Sequence, residues 1–62
     1  MKHHLATLSY HGRVTITRTP DGGFFVRFEQ EDQRVQTWNK SLKAAVRRVY
    51  VNARKQELLN VR

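Results

Sequence analysis

The chain predicts an α+β domain: a three- or four-stranded antiparallel β-meander with one C-terminal α-helix packed on one face. Three observations carry that expectation. Residues 13–19 alternate strictly, Val14 and Ile16 on one side against Arg13, Thr15 and Thr17 on the other, which is the pattern of a half-buried strand. Pro20-Asp21-Gly22 follows and reads as a three-residue hairpin loop, Pro presetting φ and Gly taking the left-handed conformation. Beyond Ser41, the apolar residues Leu42, Ala45, Val46, Val49 and Ala53 recur at i, i+3, i+4, i+7 and i+11, a core-facing helical stripe.

Residues 1–12 admit two arrangements: an edge strand over Leu5–Tyr10 with a bulge, or a loosely held arm. The meander then occupies residues 13–38. A loop at Pro20-Asp21-Gly22 places Ile16 opposite Val26 and Val14 opposite Phe28, with Phe24 on the same side. Every strong apolar residue of both strands except Phe25 then shares one face, so turn chemistry and side-chain parity agree. The next turn, Gln30-Glu31-Asp32-Gln33, is polar and lacks Gly. Pairing Glu29 with Arg34 sets Phe28 opposite Val35, Val26 opposite Thr37 and Phe25 opposite Trp38. Ser41 is a good N-cap for a helix over residues 41–59. Leu58, Leu59 and Val61 lie past the clean stripe and are open to three roles: a last turn, a dimer contact or a frayed tail. The expected core is Val14, Ile16, Phe24, Val26, Phe28, Val35, Leu42, Ala45, Val46 and Val49.

Sixty-two residues make one small domain, which buries only about 60% of its unfolded surface. Homodimerisation is one further source of stability for such a chain. There is no Cys, which suits a reducing compartment. No apolar run approaches the roughly 18–20 residues of a membrane span, and Met1-Lys2-His3-His4-Leu5 lacks the apolar stretch of a signal peptide. The expectation is a soluble cytoplasmic protein without membrane partners. Catalysis is not expected: Ser9 and Ser41 have no triad partners, Asp21 is explained by its turn, and Gly22-Gly23 closes a hairpin instead of opening a helix. No cofactor is implied. His3, His4 and His11 invite a metal, but adjacent histidines point apart and no Cys, Asp or Glu lies near them in sequence, so no metal site is expected.

The charge is unevenly placed. The formal net charge is +7, and from Lys40 to Arg62 seven Lys/Arg face a single acid, Glu57. Residues 1–39 hold five bases and four acids. Lys/Arg near a helix C-terminus offset its dipole, which explains Arg54 and Lys55. Lys43, Arg47 and Arg48 sit in the first half, where acids are favoured, and lack acids at i±4. Clustered like charges repel, and a polyanion such as nucleic acid relieves that repulsion. A plain solvated helix face and an acidic protein surface are the competing explanations.

By the expected register the second face of the sheet carries Arg13, Thr15, Thr17, Phe25, Arg27, Glu29, Arg34, Gln36 and Trp38, and one helix cannot cover both faces. Arg and Gln bond base edges bidentately, and Phe and Trp stack on exposed bases. The plainer account is a stabilising Phe25–Trp38 cross-strand pair with Arg13–Glu29 and Glu29–Arg34 ion pairs. An exposed Trp beside arginine also has the composition of a protein-binding hot spot.

The run Arg18–Arg54, with its Gly-Gly-Phe-Phe-Val-Arg-Phe strand, polar turn, short third strand and Ala-rich helix, resembles the three-stranded-sheet-plus-helix DNA-binding domains at the N-termini of phage-type tyrosine integrases, related in shape to plant AP2 domains. That resemblance implies a sheet that enters the major groove with the helix behind it, and nominates Arg27, Arg34, Gln36 and Arg13 as groove-facing. The chain departs from the class by placing most of its positive charge on the helix.

Together these readings lead to a non-catalytic nucleic-acid-binding protein, for double-stranded DNA rather than RNA, of the regulatory kind found in phages and mobile elements. Arg13, Arg27, Arg34 and Gln36 face bases in this reading, and Lys43, Arg47, Arg48, Arg54 and Lys55 contact phosphates. The alternative is a small protein inhibitor that engages an acidic surface of a host enzyme or complex, with Phe25 and Trp38 as anchors.

Overall fold

β-Branched and aromatic residues build three strands, β1 (Arg13–Arg18), β2 (Phe24–Gln30) and β3 (Gln33–Asn39), joined in the order β1-β2-β3 and antiparallel throughout. The computed structural model describes residues 2–59, with side chains from His4 onward. The side chain of His3 and the whole of Val61 lie outside the described residues. In the first hairpin the Thr19 N–H donates to the Gly23 carbonyl at 2.9 Å and the Gly22 N–H to the Thr19 carbonyl at 3.1 Å. Gly22 takes φ 89°, a conformation nearly closed to other residues. The register is the expected one: Val14 pairs with Phe28, Ile16 with Val26, Phe28 with Val35, and Phe25 with Trp38. The second hairpin turns at Glu31 with φ 55°, so a charged residue occupies a position that favours Gly.

The N-terminal segment is a helix, α1 (Lys2–His11), neither an edge strand nor an arm, and the sheet has three strands. Leu5, Ala6 and Leu8 are good helix formers, and only Thr7 in the segment is β-branched. The Gly12 N–H closes the last turn on the Leu8 carbonyl at 3.0 Å. Leu8 is fully buried and anchors α1 to the core.

The second helix, α2 (Leu42–Lys55), begins at Ser41, whose hydroxyl accepts from the Ala44 N–H at 3.3 Å. Its end is a Schellman motif: the Leu58 N–H reaches the Ala53 carbonyl at 2.9 Å and the Glu57 N–H the Arg54 carbonyl at 3.0 Å. Such a motif puts one residue in the left-handed region; here that residue is Glu57, at φ 60°. Leu58 is thereby buried against the core beside Ala53, which assigns it to a last turn. Gln30, at the end of β2, holds both helix ends together, its Nε2 donating to the His11 carbonyl at 3.1 Å and to the Leu58 carbonyl at 2.7 Å.

The core unites Leu8, Val26, Phe28, Val35, Ala45, Val46, Val49, Ala53 and Leu58. Val14 is partly buried against it, and Phe24 is half-buried. Ile16 and Leu42, expected inside, are 40% and 37% exposed. The cause is coverage: α2 packs on β3 and β2 while α1 packs on β1 and α2, so Ile16 on the edge strand and Leu42 in the first helical turn lie at the margin. Among the described residues no helix is long and apolar enough to cross a membrane.

Phe28→Ala should cost about 3–5 kcal/mol, a large share of the stability of a domain this small; an unchanged melting temperature would contradict the strand parity. Glu57→Gly should stabilise by about 0.5–1 kcal/mol by relieving the left-handed position. Calorimetry should register it as a rise of several degrees in Tm, and a lower Tm would show that the Schellman geometry is wrong.

Candidate functional site

On α2 the buried stripe of Ala45, Val46, Val49 and Ala53 dictates what points outward. With about 3.6 residues per turn, Ala44 and Val51 fall opposite that stripe. Lys43, Arg47 and Arg54 run along one flank of this ridge, and Arg48 and Lys55 along the other. All five cations are exposed. A shallow depression of about 870 Å³ follows this side of the helix, and Lys43, Arg47, Arg48 and Lys55 line it together with His4, Asn39, Ser41 and Val51. Arg54 stands beside it, its guanidinium carbon 6.0 Å from the centre of the Tyr50 ring. His4 of α1 stacks on Tyr50 with ring centres 4.1 Å apart. There is no acid in the first turn of α2, and among the described residues none of the five cations forms an ion pair.

The other side of the sheet carries a second group in three cross-strand rows. Arg13, Glu29 and Arg34 form one; Thr15, Arg27 and Gln36 the next; Thr17, Phe25 and Trp38 the third. Although Glu29 lies between two arginines, no ion pair joins it to either among the described residues. The Arg27 guanidinium carbon lies 5.7 Å from the Phe25 ring centre, and its Nε is enclosed without a hydrogen-bond partner. Trp38 is 43% exposed. Its indole covers Gly23, where an added Cβ would come within 2.3 Å of the ring, and its Nε1 donates to Thr19 Oγ1 at 2.9 Å. Thr19 in turn donates to the Asp21 carboxylate, so one hydrogen-bond chain ties the indole to the turn. That hydroxyl, the largest influence, holds the Asp21 carboxyl below its ordinary value against the opposing effect of desolvation, with the Gly23 N–H adding to the lowering.

The nine residues expected to bind nucleic acid therefore form two groups on opposite sides of the protein. The helix and the sheet lie between them, and the shortest dimension of the Cα trace is 17 Å. Lys43, Arg47, Arg48 and Lys55 gather in one depression with Arg54 at its edge; Arg13, Arg27, Arg34 and Gln36 share the open sheet face with Phe25 and Trp38. His4 and Asn39 were not legible as neighbours of the helix cations, because His4 arrives on α1 and Asn39 at the end of β3, on elements other than α2. Among the described residues no three metal-ligating side chains come together. No protein-family model matches the chain, and comparison with curated proteins and with solved structures gives no match.

Because the Asp21 carboxyl is lowered in the folded protein from 3.8, its contribution to hairpin stability is complete above that unfolded value and is lost as the pH falls through the folded one. Thermal melts below about pH 4 should show a steeper loss of stability for the natural chain than for Asp21→Asn. Identical pH profiles would rule out the turn network as drawn.

Proposed function

We propose that the protein is a small non-catalytic nucleic-acid-binding protein that holds double-stranded DNA through the outward side of α2. The observation that supports it is the set of five cations, without ion pairs among the described residues, in two rows on either side of the small-residue ridge of Ala44 and Val51. A major groove about 12 Å wide admits an α-helix. A helix seated there turns its two flanks toward the two phosphate strands, so Lys43, Arg47 and Arg54 serve one strand and Arg48 and Lys55 the other. Phosphate contacts carry affinity and little sequence information.

The likeness of Arg18–Arg54 to integrase-type sheet-plus-helix domains supports DNA as the ligand and a regulatory role in a phage or mobile element, with the opposite face docking. The charge distribution favours α2 over the sheet, since the open sheet face offsets three arginines with Glu29 whereas the outward side of α2 bears no acid.

Five phosphate contacts should give a slope of log K against log[salt] of about −4 to −5, each contributing about −0.9. Reversing charge at Arg47 and Arg48 together should weaken binding to every duplex sequence alike. No duplex affinity at low salt would move the reading to an acidic protein surface as the ligand.

A further inference from the structure

The side of the sheet turned away from both helices carries a fixed aromatic surface for which duplex binding by α2 has no use. Trp38 is held down on the hairpin by two contacts, the close approach of its indole to Gly23 and the 2.9 Å hydrogen bond to Thr19, while 43% of its surface meets solvent. Phe25 lies directly across from it on β2, with the Arg27 guanidinium against the ring. The surroundings are cationic: Arg13 and Arg34 flank the lone Glu29, and none of the three arginines is ion-paired among the described residues. A ring that is already immobilised loses little rotamer freedom when a ligand settles on it. Bases inside a duplex are stacked on one another and present only their edges, whereas unpaired bases offer their flat faces to aromatic and guanidinium planes.

We infer that the open sheet face is a second nucleic-acid site, one that takes a single-stranded segment. Unpaired bases stack on Trp38 and Phe25, and the backbone phosphates meet Arg13, Arg27 and Arg34. This site does not rest on the duplex reading of α2. Because the two sites face opposite ways, one molecule holds a duplex and a single strand at the same time.

Trp38 is the only tryptophan, so its emission reports on the sheet face alone. The full chain is titrated at low salt with a thymidine oligomer of roughly 10 nucleotides, within the range of known single-strand sites, and separately with a short duplex. The oligomer should quench Trp38, and the quenching should survive charge reversal at Arg47 and Arg48. Arg34→Glu, an exposed substitution that spares the fold, should weaken oligomer binding about tenfold, as losing a stacked base or its phosphate contact does. Gly23→Ala, which lifts the indole without changing any charge, should do the same, and both variants should bind duplex as before. Three results would overturn the inference: no quenching at saturation, oligomer binding abolished by the Arg47 and Arg48 reversals, or Trp38 emission that shifts to the blue with protein concentration alone, which would place a second copy of the chain on this face. Loss of duplex binding with the quenching intact would count against α2 only.

Discussion

Burial of Val26, Phe28 and Val35 against Ala45, Val46, Val49 and Ala53 is the contact on which the rest of the molecule depends. A chain of this size can fill one thin core and no more. Strand alternation sends the strongly apolar residues of the meander to that side, Phe25 and Trp38 excepted, and the sheet can be covered only there. Both helices accordingly pack on one face. α2 takes the larger part over β2 and β3, and α1 closes the remainder with Leu8. Gln30 then locks the two helix ends by satisfying the His11 and Leu58 carbonyls with one amide nitrogen, at the edge of the core where an unpaired carbonyl would be costly.

This one-sided packing also determines where function can reside. α2 turns its cations away from the sheet, and the open sheet face turns its arginines and aromatics the other way. A straight duplex lies against one side of a body this thin, not both. The proposed division of labour rests on chemistry: cations in two rows around small side chains suit paired phosphate strands, whereas pinned rings suit unpaired bases.

The strands were legible because two independent signals agreed. The Pro20-Asp21-Gly22 loop and the parity of Val14, Ile16, Val26 and Phe28 give one register, and a slip of β1 by one residue would turn Val14 and Ile16 to the face opposite Val26 and Phe28. α2 was legible from its stripe and from Ser41. α1 was not, because Leu8 is its one fully buried residue and its remaining surface is polar or exposed, so it has no stripe to read. The end of α2 was obscured for a different reason: Glu57 occupies the left-handed position where Gly normally announces the cap. Of the candidate site, the residue types and their faces were legible. What could not be read was that α1 brings His4 to Tyr50, or that Trp38 is tethered through Thr19, since both contacts join segments far apart in the chain.

The central claim is that α2, on the side opposite the open sheet, is the surface that meets duplex DNA. Backbone amide shifts followed by NMR during titration with a short duplex test it most directly. The account predicts shifts concentrated between Lys43 and Lys55 and at His4, with Arg27, Arg34 and Gln36 on the open sheet face left in place. Shifts confined to those sheet residues, with α2 silent, would contradict it.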